Sequence, residues 1–446
     1  MEKEKVLFVV LGGTGDLTTR KLFPAFVDLI EKELIDKNSV FLGMSRKDFT
    51  DSDYKEFLVK NSKIKDLKDI KLRYLRGDFT DFSGIKSLKE FIHKNGLQNL
   101  NRIYYLSTSF NLFPKIVGAL KRNELHKSSG FTRIVFEKPF GSDLISSNLL
   151  DRQIHKIFDE KEIYRIDHYL GKETIRNISV MKFTNPLIYS TFSNEYIDSI
   201  EVIVDEDLGV EDRINYYNEA GAVRDMIQNH LLQVLSIVLM ESPKSLSSDS
   251  IHDEKIKILK KLEISGNNIF GQYEGYKKEL EKKGFKDKKT ETFANIELNC
   301  KTKRWEGVKL ILRTGKKLKR KYGQINLNFK IQKNPFVDSK IDKNNKITID
   351  IYPKQDVNIY LNTRDPITES IKRVNFEFCR DCNFGPNSAD EYSFLLSEVI
   401  KGNKMLFARS DEIRECWKIA DKIQEIKKKS KLIYYEEGSS PRGSSP

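Results

Sequence analysis

The stretch KVLFVVLGGTGDLTTRKLFPAFVDLIEKELI, Lys5 to Ile35, changes its hydrophobic period within a few residues, and that change decides the fold. The unbroken apolar run Val6 to Leu11 suits a parallel strand buried on both faces. Leu17, Leu22, Phe26, Leu29 and Ile30 then recur at helical spacing. Between the two lies Gly12-Gly13-Thr14-Gly15-Asp16-Leu17. Glycines there let a pyrophosphate approach the backbone, and the helix that follows offers free N–H groups and the positive end of its dipole. Counted from Gly13 and Gly15, Thr18 occupies the place of a third glycine, so the turn alone is an incomplete fingerprint and a plain tight turn is its competing reading.

Further along, the apolar run Val40 to Met44 follows about 30 residues later, the length of one βαβ unit. Ile103 to Ser107 and Ile134 to Phe136 read as further buried strands, with helical patterns at Pro114 to Leu125 and Ser142 to Phe158. Strand and helix in alternation predict a Rossmann-type doubly wound parallel sheet. From about Ile296 the period becomes two, in QINLNFKI (Gln324 to Ile331), KITIDIYP (Lys346 to Pro353) and DVNIYLNT (Asp356 to Thr363). Half-buried antiparallel strands follow from that pattern. The expected organisation is a dinucleotide-binding domain over 1–168, a larger α+β domain with a mostly antiparallel sheet over 169–436, and a disordered tail over 437–446. The boundary is expected near Ile166 to Thr174.

Composition narrows the function classes. With 446 residues, 39% hydrophobic, 11% aromatic and 32% charged, the chain has room for several cores and is too apolar to be disordered. No apolar run reaches the ~18 residues of a bilayer span, and no signal peptide is legible, so a cytoplasmic location is expected. The four cysteines are sparse and irregularly spaced, and they read as thiols. The net charge of +13 raises a nucleic-acid reading. Acids interrupt the basic runs, as in KNSKIKDLKDIKLR (Lys60 to Arg73) and KKELEKKGFKDKK (Lys277 to Lys289), which makes them solvated faces. Neither a nucleic-acid nor a membrane partner is expected.

The end of the second strand chooses the dinucleotide. An NAD site places a carboxylate there for the ribose 2′-OH, whereas this chain has Ser45, Arg46 and Lys47. The Arg46 guanidinium can pair with a 2′-phosphate and stack on the adenine, so NADP is the expected coenzyme. In FEKPFG (Phe136 to Gly141), Lys138 emerges at the carboxyl end of a predicted strand, where open α/β sheets collect ligands. RIDHYLGKE (Arg165 to Glu173) packs Asp167, His168, Tyr169 and Lys172 into six residues, a set suited to acid/base work beside an anion. A largely buried helix is expected over Glu219 to Met240. It carries Arg224, Asp225, Asn229, His230 and Gln233 in its first half, groups that must be hydrogen-bonded or line a polar cavity. On a regular helix Asp225 and His230 would stand about 140° apart. RTGKKLKRK (Arg313 to Lys321) gathers cations behind a glycine turn, which fits capture of a phosphate monoester or a solvated loop. The CRDC pair lacks a second ligand pair, so no metal site is expected.

Taken in order, GGTGDL with Lys21, the SR at Ser45 and Arg46, EKPFG, RIDHYLGKE, DMIQNH and RTGKKL resemble the glucose-6-phosphate 1-dehydrogenase family from about Lys5 to Tyr435. The resemblance implies a Rossmann coenzyme domain, an α+β domain whose large sheet makes subunit contacts in a homodimer or homotetramer, and oxidation of β-D-glucose 6-phosphate to the 6-phosphogluconolactone with NADP. It gives His230 the part of general base and Asp167 that of its carboxylate partner. His168, Tyr169, Lys172, Glu206, Asp225, Lys316 and Lys321 would hold the sugar or its phosphate. Gly12, Gly13, Thr14, Gly15, Asp16, Leu17, Arg46, Tyr105 and Lys138 would hold the coenzyme, with Lys138 also reaching substrate. Phe110 stands where the family has proline, and Thr19 where it commonly has lysine. On the residues alone, two other readings stay open: another two-domain Rossmann sugar oxidoreductase, and a non-catalytic NADP-responsive binding protein.

Overall fold

The computed structural model describes residues 3–62, 64, 70–331, 344–368, 370–379, 382–383 and 391–443. The chain forms two compact units, Met1–Gly171 with Ala389–Ile413, and Lys172–Ser388 with Arg414–Pro446. The return of residues 389–413 to the first unit has no counterpart in the expected linear division.

The first unit is built on β1 (Val6–Leu11), β2 (Val40–Ser45), β3 (Lys71–Arg76), β4 (Asn101–Leu106), β5 (Thr132–Glu137) and β6 (Ile163–Ile166). Their order is β3-β2-β1-β4-β5-β6 and every pairing is parallel. The strand order reverses direction between β1 and β4, which opens the crevice where such sheets bind nucleotides. All six residues of β1 are buried, as its unbroken apolar run requires. Phe8, Phe26 and Phe41 pack with ring centroids 5.3–5.9 Å apart and tie β1, β2 and the helix Phe23–Glu31 together. The helix Glu391–Lys401 adds Leu395, Leu396 and Val399 to this core. Burial of each such side chain stabilises by about 1.5–3 kcal/mol, so apolar area holds the returning segment. Arg133 also donates to the Val399 and Ile400 carbonyls.

The second unit holds β7 (Ile197–Asp205), β8 (Leu262–Tyr273), β9 (Phe293–Cys300), β10 (Lys309–Gly315), β11 (Tyr322–Phe329), β12 (Lys346–Tyr352), β13 (Val357–Arg364), β14 (Ile371–Phe378) and β15 (Leu432–Tyr435). They make one sheet, in the order β14-β13-β12-β11-β7-β10-β9-β8-β15. Six of the eight pairings are antiparallel; β7 with β10 and β15 with β8 are parallel. The period-two segments become β11, β12 and β13. A core of Val210, Ile214, Tyr217, Tyr273, Phe293 and Leu318 lies at the end of the sheet where β7 and β10 stop.

Three expectations need correction. Glu219 to Met240 is not one regular helix: an α-helix Ile214–Ala222 kinks at Gly221, a π-helix runs over Val223–Leu231, and an α-helix resumes over Leu232–Leu239. Gly221 has φ 66°, and a Cβ there would stand 2.4 Å from Glu291 Oε1, so glycine is required at the kink. Residues 437–443, expected in the disordered tail, are ordered by contacts. The Gly438 N–H donates to the Lys317 carbonyl (2.8 Å) and Arg313 donates to Ser440 Oγ (3.1 Å). Residues 444–446 lie outside the described set. Cys379 and Cys382 form a disulfide rather than two thiols, their Cα atoms 5.3 Å apart and so within bridging range. Cys300 and Cys416 are buried thiols. Among the described residues no helix is long and apolar enough to cross a membrane.

Candidate active site

In the first unit the glycine turn sits where β1 and β4 diverge. The Gly12 and Gly13 N–H groups donate to the Met44 carbonyl at 3.0 Å, and Ser107 donates to the Leu11 carbonyl at 3.0 Å, so the turn is fastened to the ends of both neighbouring strands. Gly12 has φ 105°, and a Cβ there would meet Ser107 O at 2.3 Å. A Cβ on Gly13 would lie 2.7 Å from Gly43 Cα. The backbone is therefore bare along the crevice for steric reasons. Thr18 and Thr19 turn their hydroxyls onto their own helix, to the Gly12 carbonyl (3.0 Å) and the Asp16 carbonyl (3.0 Å). Asp16, Leu17 and Thr18 are the first helical residues, and the N–H groups of a helix start lack intrahelical acceptors, so a pyrophosphate fits there.

At the end of β2, Ser45 is buried and shares its hydroxyl with Tyr74 (2.8 Å) and Thr14 (3.2 Å). Arg46 follows, exposed. Lys47 lies over the ring of Phe57 at 4.7 Å. No carboxylate occupies the ribose-binding place, and these residues fit a 2′-phosphorylated dinucleotide. Tyr105, expected among coenzyme contacts, is fully buried in β4 and gives its hydroxyl to Glu137 Oε1. Tyr392 donates to the same oxygen at 3.2 Å. Burial pushes the Glu137 carboxyl up to about 7, against the phenol hydrogen bonds and the charge of Lys138. Lys138 is half-buried and follows directly on β5. Asp167 is buried just past β6; its Oδ1 accepts the Tyr169 N–H (3.0 Å) and its carbonyl accepts that of Leu170 (3.0 Å), so it fixes the short turn His168–Gly171. The rings of His168 and Tyr169 lie 4.9 Å apart.

In the second unit, Glu206 directly follows β7 and Lys316 directly follows β10. The two strands are parallel neighbours with Asp205 opposite Gly315, so both residues emerge at one edge, where the ammonium and carboxylate form an ion pair. Lys316 Nζ also lies 5.7 Å from the centre of the Tyr217 ring. Burial, then the charge of Asp225, pushes the Tyr217 phenol well above its ordinary value. Burial and the same carboxylate act likewise on Tyr216. Asp225 is itself buried and meets Arg213 Nη2 at 3.4 Å. Glu206, Lys316 and Tyr217 are thus consecutive neighbours, and the charge of Asp225 acts on the same tyrosine.

His230 is fully buried in the π-helix, and its N–H donates to Asn229 Oδ1 at 2.6 Å. The i→i+5 winding has a direct consequence: residues five apart stack as residues four apart do in an α-helix. Asp225 and His230 therefore share a face, which corrects the wide separation expected of a regular helix. Lys172 immediately precedes the helix Glu173–Thr184, and its ammonium lies over the Tyr352 ring at 5.8 Å. Lys321 is exposed and precedes β11 by one residue.

Sequence reasoning passed over Tyr216, Tyr217 and Glu137. The two tyrosines read as core aromatics, and only their approach to Asp225 distinguishes them. Glu137 adjoins Lys138 in the motif already quoted, but the two phenols that hold it come from β4 and from residue 392.

Two family models cover nearly the whole chain: "Glucose-6-phosphate dehydrogenase, NAD binding domain" matches residues 9–177 and "Glucose-6-phosphate dehydrogenase, C-terminal domain" matches residues 179–445. The chain belongs to the glucose-6-phosphate dehydrogenase family. Among curated members, the glucose-6-phosphate 1-dehydrogenase of Borreliella burgdorferi is 36% identical, with 93% of this chain and 90% of that protein aligned. The enzyme of Buchnera aphidicola is 37% identical over the same shares, 93% and 90%. A solved glucose-6-phosphate dehydrogenase in complex with its substrate glucose 6-phosphate superposes with a TM-score of 0.91 at 28% identity, covering 99% of this chain and 97% of that one. The glucose-6-phosphate 1-dehydrogenase of Mycobacterium avium gives 0.85 at 29%, covering 98% and 95%.

Proposed function

We propose that this protein oxidises β-D-glucose 6-phosphate at C1 to 6-phospho-D-glucono-1,5-lactone with NADP, the entry reaction of the oxidative pentose phosphate pathway, and that His230 is the base. The observation that carries the reading is the run of neighbours Glu206, Lys316 and Tyr217 in the unit that holds His230, together with the π-helix whose winding gives Asp225 and His230 one face.

NADP, when bound, accepts the hydride that leaves C1. Everything else falls to the chain. The backbone of Gly12 to Leu17 receives the pyrophosphate, and Arg46 pairs with the 2′-phosphate. Lys172, Lys316 and Lys321, with His168 and Tyr169, fix the sugar phosphate far from the reacting carbon, so that binding energy orients C1. Asp225 and Glu206 accept hydrogen bonds from sugar hydroxyls, and Lys138 stands at the β5 end for either ligand. His230 takes the proton of the C1 hydroxyl. Asp167 serves turnover as the carboxylate of the acid/base pair, so Asp167→Asn lowers kcat.

The test is reduction of NADP by glucose 6-phosphate, with NAD and with unphosphorylated glucose run alongside. NADPH formation that depends on the phosphate supports the proposal; equal rates with glucose overturn it. A homodimer or homotetramer is proposed to form through the second-unit sheet, whose outer strands β13 and β14 expose Leu361, Phe376 and Phe378. Light scattering checks this. A cytoplasmic location is proposed too, supported by relatives such as the cytoplasmic isoform of Solanum tuberosum, 33% identical over 92% of this chain.

A further inference from the structure

Apart from the residues given roles above, the second unit contains a cavity of about 710 Å³, within the range of small-molecule sites. Four distant pieces of sequence build it: residues 218–224, residue 270, residues 288–291 and residues 424–434. Six cations, Arg224, Lys288, Lys289, Lys427, Lys428 and Lys431, line it against two carboxylates, Glu219 and Glu291, which leaves four positive charges. Lys288 pairs with Glu219 and Lys427 with the buried Glu291. Lys289, Lys428 and Lys431 make no ion pair among the described residues. Beside them lie Phe270 and Leu432, and Tyr434 is 58% exposed.

In the sequence the run that ends at Lys289 reads as a solvated face, and a second run spans Lys427 to Lys431. Folding places both in one concavity, where like charges repel and a bound polyanion relieves the repulsion. An exposed aromatic ring beside such charges offers a stacking surface to a planar base. We propose that this cavity binds a nucleoside triphosphate, with the polyphosphate on Lys289, Lys428 and Lys431 and the base against Tyr434.

The cavity is wired to the turn that carries His230. Glu291 Oε1 accepts the Val223 N–H (3.2 Å) and the Glu291 carbonyl accepts the Ala222 N–H (2.9 Å), while its other carboxylate oxygen holds Lys427. A polyphosphate that competes for Lys427 loosens this clamp at the start of the π-helix. Bound nucleotide therefore raises the KM for the sugar phosphate, a part of the proposal that rests on the function given above.

The test is calorimetric titration of the full chain with ATP, without divalent cation and with NADP held at saturation so that the coenzyme crevice is filled. The wild type is expected to bind. The triple variant Lys289→Glu, Lys428→Glu, Lys431→Glu is expected to lose affinity by about tenfold or more, as three removed phosphate contacts require, with its KM for NADP and for glucose 6-phosphate unchanged when ATP is absent. Tyr434→Ala is expected to bring ATP down to the affinity of inorganic tripolyphosphate. Absence of ATP binding by the wild type, or equal affinity in the wild type and the triple variant, overturns the site. Tripolyphosphate binding the wild type as tightly as ATP overturns the nucleotide assignment, and a KM for glucose 6-phosphate that saturating ATP leaves unchanged overturns the coupling. A chain that never reduces NADP fails the function above and leaves the calorimetry interpretable.

Discussion

Lys316 and Glu206 are ion-paired across the ends of two parallel strands, one residue beyond Gly315 and Asp205, which face each other in register. The carboxylate holds the ammonium at the sheet edge in advance of any ligand, so little side-chain entropy remains to be lost on binding. Lys316→Met is expected to raise the KM for glucose 6-phosphate about 10- to 100-fold, the worth of one charge-assisted hydrogen bond. The KM for NADP should stay within about threefold. Steady-state kinetics against each substrate checks this, and equal increases in both would remove Lys316 from the phosphate site.

His230→Asn is expected to lower kcat by about 10²- to 10⁴-fold while glucose 6-phosphate still binds in calorimetry, because a general base acts on the transition state and not on the ground-state complex. Retained turnover would take His230 out of the mechanism.

Gly221→Ala tests the kink before the π-helix. A residue with a Cβ is strained at φ 66° and would meet the Glu291 carboxylate. A loss of roughly 1–3 kcal/mol in denaturant unfolding is expected, together with a lower kcat. Unchanged stability would mean that the turn relaxes without cost.

Arg46→Ala should weaken NADP by about tenfold or more and NAD much less, since the proposed pairing with the 2′-phosphate is lost for NADP alone. Equal losses for the two coenzymes would contradict the assignment.

Two buried or half-buried bases give opposite pH slopes. Hydrogen bonds from His155 to Asp151 and Glu160 push its pKa up to about 10. The folded state thus holds a proton that the unfolded chain releases near about 6.5. Its stabilisation is complete below about pH 6.5 and is lost as pH rises through about 10. Screened by solvent at a half-exposed ring, it is worth about 1–2 kcal/mol. Lys182, fully buried with its ammonium on the Val238 and Met240 carbonyls, is pushed down to about 7 by burial. Between about pH 7 and 10.4 the unfolded chain binds more protons at this site, so its contribution to stability rises with pH. The two contributions oppose each other over about pH 7 to 10, so His155→Asn is expected to leave a rise of stability with pH there and Lys182→Met a fall. Urea unfolding across that range reads both, and parallel profiles for wild type and variants would refute the two assignments.

Local pattern carried much of the fold. β1 is legible because six consecutive apolar residues admit few other fates, β11 and β12 because one face of each is core, and β13 by its period-two alternation alone. β3 and β6 were not: KLRYLR alternates at a sheet edge with charges outward, and IYRI is four residues long with its arginine buried on Asp151 and Glu160. The π winding at Val223–Leu231 left no trace in the hydrophobic period, since the residues around His230 are buried on every side. Arg46 and Lys316 announced themselves as cations at strand ends. Tyr217 and Glu137 did not, because what sets them apart is which distant group folding brings beside them.

The discontinuous first unit also governs how the chain can be made. Its core lacks Leu395, Leu396 and Val399 until synthesis has passed the whole intervening segment, residues 172–388. At ribosomal speeds of about 5–20 residues per second that interval is on the order of 10 to 40 s. Throughout it the helix Phe23–Glu31 presents an apolar face to solvent, a window in which the nascent chain invites chaperones or aggregation.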